Sequence, residues 1–125
     1  SIDTGLRNAV SFRFTKDLGR LAENIVFLEL LRRGKDVFFW KDKKNHEVDF
    51  VLKDGLNPTN LIQVCWDVKK EKTKKREIEG LLSTMDTFSI NEGMILTEDH
   101  EEITKHNKKI IKYIPIWKWL LYNDN

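Results

Sequence analysis

The spacing of apolar residues along the chain predicts helices alternating with short strands. Residues 1–19 show little periodicity and contain two glycines, so they are predicted to form a loop. From Asp17 onward apolar residues recur at helical spacing, and Gly34 provides a stop. A second helix is predicted after Thr73, its expected N-cap, because one apolar stripe follows it. That stripe consists of Ile78, Leu81, Leu82, Met85 and Phe88.

Strands are predicted where apolar or alternating runs lie between turn residues. They cover 36–40, 47–52, 61–68, 93–97 and 110–116. Segment 53–60 is predicted to be a hairpin loop, 101–109 a polar helical turn, and 117–122 a last short helix. The order is one helix, three strands, a helix, two strands and a helix. It favours an α/β fold with a central mixed sheet flanked by helices, and residues 1–125 are expected to form a single domain.

Composition excludes some classes of protein. The chain has 125 residues and a formal net charge of +2, which argues against a strongly basic nucleic-acid tail but leaves room for a local basic patch. Its single cysteine, Cys65, cannot form an internal disulfide. No signal peptide and no apolar run of about 20 residues is present, so a cytoplasmic location is expected.

Polar residues interrupt two of the predicted strands at alternating positions. Asp49 follows Glu47 by two residues in the second strand, and Cys65 follows Gln63 by two in the third. A hairpin centred on residue 56 would place Asp49 opposite Gln63 and Glu47 opposite Cys65, on one face of the sheet. A slip of one residue in this register would separate them.

A third polar group comes from the first helix, where Glu23 lies beside the apolar stripe. The oxygens of Glu23, Asp49 and Gln63 are of the kind that Mg²⁺ binds, and a bound cation could activate water against a phosphodiester. The simpler alternative is that Glu23 is solvated, that Asp49 is a paired structural residue, and that Gln63 hydrogen-bonds to backbone. The sequence pattern alone leaves open both the metal site and this structural alternative.

Several segments in order resemble a known family. They are "DLGRLAENIVFLELLRRG", "VFFWKDKKNHEVDFVL", "LIQVCWDVKKEKTKKREIEGLL", "MILTED" and "IPIWKWLL". Together, over about residues 3–121, they resemble the nuclease-like C-terminal domain of archaeal and bacterial AAA-type ATPases, within the PD-(D/E)XK nuclease superfamily. The resemblance implies a restriction-endonuclease-like core and DNA as a partner. Because the chain has no GxxxxGK[ST] motif, the implied ATPase domain would belong to a longer chain.

The resemblance also implies roles for individual residues, with two departures. Glu23, Asp49 and Gln63 fall on the catalytic and metal-binding positions, with Mg²⁺ or Mn²⁺ as the cofactor. Gln63 stands where the family has an acid, and its neutral amide would bind a cation more weakly. Cys65 stands where the family has a lysine, which helps to stabilise the attacking water and the developing charge.

A basic run follows the third strand. It bears on DNA binding and on the lysine that is missing at Cys65. Segment 69–77, "KKEKTKKRE", carries a net charge of +4. Its residues Lys69, Lys72, Lys74, Lys75 and Arg76 are the predicted nucleic-acid contacts, and Lys72, Lys74 or Lys75 could replace the missing lysine. The alternative is a solvated helix entrance.

The resulting function is a nuclease-like DNA-binding module of an AAA-type ATPase, with weak or lost Mg-dependent phosphodiesterase activity. Two alternatives remain. One is an active Mg-dependent DNA endonuclease, and the other is a protein-interaction module that binds no nucleic acid. A homo-oligomer is a further partner that the sequence allows. Trp117 and Trp119 are predicted to be packing anchors, and a subunit interface is the alternative for them.

Overall fold

The computed structural model describes residues 4–68 and 71–122, with side chains for residues 17–68 and 71–122. It contains three helices and six strands within those residues. The helices are α1 (Thr4–Arg32), α2 (Glu71–Phe88) and α3 (Ile116–Leu121). The strands are β1 (Asp36–Lys41), β2 (Glu47–Asp54), β3 (Asn57–Val64), β4 (Glu92–Thr97), β5 (Glu102–His106) and β6 (Lys109–Pro115).

The six strands form one mixed sheet in the order β1-β2-β3-β4-β6-β5. β3, β4 and β6 are parallel, whereas β1 with β2, β2 with β3 and β5 with β6 are antiparallel. The carboxyl ends of the three parallel strands therefore meet at one edge of the sheet, where open α/β sheets commonly hold ligands. The predicted α/β class and the mixed sheet flanked by helices are confirmed.

Each face of the sheet carries its own apolar core. The α1-side core lies beneath α1 and α3. It consists of Ala22, Val26, Leu30, Phe50, Leu52, Ile62, Val64, Leu96, Ile116 and Trp119. The α2-side core lies beneath α2. It consists of Val48, Val51, Leu61, Cys65, Leu81, Met85, Ile95, Ile111 and Tyr113. Successive side chains of each strand point alternately into these two cores. Polar side chains are therefore displaced toward the sheet edges.

Two predicted segments were wrong. Of the loop predicted at 1–19, residues 4–19 are helical, because α1 begins at Thr4 and continues through Gly19, and residues 1–3 lie outside the described residues. Segment 101–109 is not a helical turn but β5 and a tight turn into β6. Asn107 in that turn has a φ of 59°, a conformation that asparagine tolerates and that two-residue hairpins require.

The boundaries of three other elements also differ from expectation. The loop predicted at 53–60 is a two-residue turn at Gly55 and Leu56, so β2 and β3 extend further toward the turn than expected. β3 ends at Val64, and Cys65 leaves the strand to donate its backbone N–H to Leu96. Thr73 lies inside α2, two residues beyond its start, and is not the N-cap. Among the described residues, no helix combines the length and apolar character needed to cross a membrane.

Candidate active site at the ends of β2 and β3

Asp49 and Gln63 are joined where β2 and β3 separate. The expected register is confirmed between these strands, since Phe50 pairs with Ile62 and Val51 with Leu61. One residue beyond the last pair, the backbone N–H of Asp49 donates to Oε1 of Gln63 at 2.8 Å. The backbone N–H of Val64 donates to Oδ2 of Asp49 at 2.9 Å. Two side chains thus continue the hydrogen bonding that main-chain carbonyls provide elsewhere in the hairpin.

An irregularity in β2 turns Asp49 toward this position. Phe38 of β1 pairs with Val51, but Trp40 pairs with Val48, so β2 contains one extra residue between these pairs. Such a bulge rotates the following side chains relative to a regular strand. Val48 accordingly joins the α2-side core together with Val51, although simple alternation would place them on opposite faces.

Cys65 does not take part in this arrangement. It is buried in the α2-side core, and its Sγ lies 3.8 Å from the carbonyl oxygen of Asp67. Burial raises the pKa of the Cys65 thiol to about 11, with Glu77 adding to the shift and Lys74 opposing it. The predicted pairing of Glu47 with Cys65 is wrong, because β3 ends before Cys65.

Four acidic side chains form the carboxylate cluster: Glu23, Glu47, Asp49 and Glu77. Burial raises the pKa of Asp49 to about 7, and the charges of Glu23 and Glu47 add to the shift. Burial likewise raises the pKa of Glu77 to about 7, with Asp49 as the next cause. The pKa of Glu23 is raised by its partial burial and lowered by Arg20. The structure thus brings the predicted Glu23 and Asp49 within electrostatic range of each other.

Glu77 is a site residue that was missed in the sequence. It lies in the charged run that opens α2, where a glutamate is expected to be solvated. Yet it precedes the fully buried Leu81 by four residues, so both lie on the helix face that packs on the sheet. That spacing is the signal that could have identified it.

A cation site at Glu23, Asp49 and Gln63 stays a prediction. Within residues 17–68 and 71–122, no three histidine, cysteine, aspartate or glutamate side chains stand close enough to hold a metal ion. Gln63 is only 3% exposed, and its amide oxygen already accepts a hydrogen bond from the backbone N–H of Asp49. The side chains as placed therefore do not fit Mg²⁺, and the acidic groups would have to move closer together to bind one.

The basic ridge consists of Lys72, Lys74, Lys75 and Arg76 in the first half of α2. Lys72, Lys75 and Arg76 are exposed, and the described residues include no ion-pair partner for any of the four. Lys74 is half-buried, with its Nζ 5.6 Å from the centre of the Tyr113 ring and within electrostatic range of Cys65. Of the three candidate lysines, Lys74 is the one near the position of the missing lysine. Lys69 lies outside the described residues.

The part of the chain that matches a known family includes every described residue of this site. Residues 18–119 match the model described as a domain of unknown function, DUF4143. The chain belongs to the DUF4143 family. This DUF4143 domain is 40% identical over 120 residues to an uncharacterised protein of the archaeon Methanocaldococcus jannaschii. That match covers 89% of the chain but only 26% of the relative's length. No solved structure matches this DUF4143 domain.

Proposed function

We propose that this DUF4143 domain is a nuclease-like nucleic-acid-binding module of a longer AAA-type ATPase, with weak or lost Mg-dependent phosphodiesterase activity. The observation that carries the proposal is the position of Asp49 within the carboxylate cluster, beside the basic ridge. Its backbone N–H donates to Oε1 of Gln63, and its carboxylate accepts the N–H of Val64. A half-buried Asp49 with a pKa of about 7 is typical of a site built for chemistry, since a purely structural carboxylate is normally paired with a cation.

The same contacts support weak or lost catalysis. Gln63 is neutral and engaged with backbone, and Cys65 is buried and carries no charge at neutral pH. The domain would then lack both an acidic third ligand and a cation beside the attacked phosphate. A restriction-endonuclease-like core agrees with the mixed sheet and its flanking helices, and it remains part of the proposal.

One observation favours the alternative of an active Mg-dependent endonuclease. Lys74 approaches Cys65 from α2, so its ammonium group could take the place of the missing lysine. That alternative still requires Gln63, or the newly identified Glu77, to turn toward a cation together with Asp49 and Glu23.

The proposed attachment to an ATPase, or to a second copy, is supported by an exposed apolar surface. Leu21, Ile25 and Leu28 lie along the outer side of α1, and Trp117 and Leu121 of α3 are exposed as well. Clusters of this kind on a small domain commonly mark a protein interface. DUF4143 domains are often found in AAA-ATPase-associated proteins, and the relative in M. jannaschii is about four times as long as the region it shares.

The proposal predicts that nucleic-acid binding depends on the basic ridge. Changing Lys72 and Lys75 together to glutamine should weaken binding of a labelled duplex by about tenfold, and should make the plot of log affinity against log salt shallower by about 2. Fluorescence anisotropy at several salt concentrations, in the presence of EDTA, measures both quantities.

A matched control separates local contacts from overall charge. Lys105 and Lys108 are exposed lysines on β5 and its turn, and changing both to glutamine removes the same charge from a formal net of +2. This variant should bind as the wild type does. Equal losses in the two variants would make the basic ridge irrelevant, and no binding by the wild type would overturn the proposed function.

A further inference from the structure

The outer edge of the sheet at β1 exposes aromatic side chains. Phe39 is 62% exposed and Phe38 is 48% exposed. β1 pairs only with β2, so no strand covers this side of the sheet within the described residues. Val37 packs against the α1-side core, and Phe39, two residues on, lies on the same face of β1. Two adjacent phenylalanines in water on one edge strand have no role in either core.

A further exposed ring connects this edge to the carboxylate cluster. Phe27 of α1 is partly exposed and stacks on Phe50, with ring centres 6.3 Å apart and planes 14° from parallel. Phe27 lies one helical turn beyond Glu23, and Phe50 directly follows Asp49. The aromatic surface on the α1 side of β1 and β2 therefore lies beside Glu23, which is within electrostatic range of Asp49.

Lysines surround the aromatic residues. Lys35 and Lys53 lie at one end of β1, and Lys41, Lys43 and Lys44 lie at the other. On the opposite face of β1 from Phe39, the Nζ of Lys53 is 4.4 Å from the centre of the Phe38 ring. Among the described residues only Lys41 of these five forms an ion pair, to Glu47 at 3.6 Å.

Asp42, the acidic residue that directly follows β1, does not neutralise Lys43 and Lys44. Asp42 accepts hydrogen bonds from the backbone N–H groups of Lys44 and His46, and its Oδ2 also contacts the His46 ring. Its carboxylate is thus held by the turn. The ammonium groups of Lys43 and Lys44 remain free for an anionic partner within the described part of the chain.

We infer that this edge binds single-stranded nucleic acid, with unpaired bases stacking on Phe39 and phosphates contacting Lys43 and Lys44. Exposed aromatic rings interleaved with lysines are the two components that single-strand binding requires. A duplex keeps its bases stacked on one another and cannot offer them to Phe39. The inference rests on the proposed function, because it names single strands as the substrate class, and a strand on this edge would pass beside Glu23.

The experiment compares Phe39→Ala with the wild type, using a labelled oligothymidylate and a duplex of equal length, by anisotropy in EDTA. Phe39→Ala should bind the single strand about tenfold more weakly, whereas duplex binding stays unchanged. Phe39→Tyr, which keeps a ring, should restore single-strand binding. Ile103→Ala removes an equally exposed apolar side chain, 68% exposed, from the opposite edge strand, and it should have no effect.

Each other outcome contradicts a distinct claim. Single-strand binding unchanged in Phe39→Ala, or reduced equally in Ile103→Ala, would overturn the inference, as would equal losses for single strand and duplex. If the inference fails in one of these ways but changing Lys72 and Lys75 still weakens duplex binding, the proposed function is retained. If the wild type bound neither the single strand nor the duplex, both the inference and the proposed function would be overturned. Circular dichroism melts of all variants exclude unfolding as the cause of a loss.

Discussion

The free energy of unfolding should decrease by about 4 kcal/mol as the pH rises from about 4 to about 8. The reason is that Asp49 has a pKa of about 7 in the folded state against an ordinary value of 3.8, and each unit of difference corresponds to about 1.4 kcal/mol. Between these two values the folded protein binds more protons than the unfolded chain, so raising the pH favours unfolding. Glu77 acts in the same direction. Because the two carboxylates repel each other, their contributions overlap and are not summed.

Urea denaturation at a series of pH values measures this dependence. An Asp49→Asn and Glu77→Gln double variant should show little change over the same range, since the amide oxygen of the new asparagine can still accept the N–H of Val64. Glu29 contributes in the opposite sense and mostly below this window, because hydrogen bonds from Arg32 and Arg33 lower its pKa from 4.5 to about 2. Stability that rises from about pH 5 to about pH 8, or a double variant that behaves as the wild type does, would show that these carboxylates are not buried together.

Replacing Gly80 by valine should destabilise the domain by about 3 kcal/mol. Gly80 is buried in α2, and a methyl group on it would lie 3.1 Å from the carbonyl oxygen of Glu47 and 3.5 Å from its nitrogen. Both are backbone atoms of β2, which cannot rotate away as a side chain can. The glycine therefore lets α2 approach β2 closely enough for Glu77 to interact with Asp49, and valine would push the helix outward.

Gly19 provides the matched control, because it is also a helical glycine but has nothing within 4 Å of the position that an added methyl group would occupy. Gly19→Ala should be neutral or stabilise by about 0.5–1 kcal/mol, through the higher helix propensity of alanine. Thermal unfolding of both variants tests the contrast. The Gly80→Val protein should also lose part of the pH dependence, since its Glu77 is displaced. Equal effects at the two positions would mean that α2 does not pack closely on β2.

The parts of this fold that depend on local periodicity could be predicted from the sequence. The stripe of α2 and the 50–62 and 51–61 pairs of the hairpin were predicted correctly, because helical spacing and the apolar alternation of paired strands are both local patterns. The same register correctly places Asp49 and Gln63 together. The hydrogen bonding of Gln63 to backbone was one of the two alternatives that the sequence left open, and it is the one observed. The bond from the N–H of Val64 to Asp49 could not be predicted, since the position of Asp49 depends on an extra residue in β2 that no periodicity marks.

Errors arose where local signals compete with tertiary structure. Gly5 and Gly19 indicate a loop in isolation, but a glycine inside a long helix weakens it without ending it. The polar run 101–109 became a strand because β6 offers an edge to pair with, and its alternation of exposed and half-buried residues is weak in sequence. Glu77 was hidden among lysines and is found only through its distance from Leu81.

The most direct test of the account measures binding and cleavage on the same samples. Labelled single-stranded and duplex DNA would be incubated with the wild type and with Asp49→Asn, over a titration of Mg²⁺ and of Mn²⁺. The account predicts that both proteins bind, and that with either metal the wild type cleaves at most slightly faster than the variant. Rapid metal-dependent cleavage by the wild type that Asp49→Asn abolishes would contradict it, and would establish a fully active nuclease at this site.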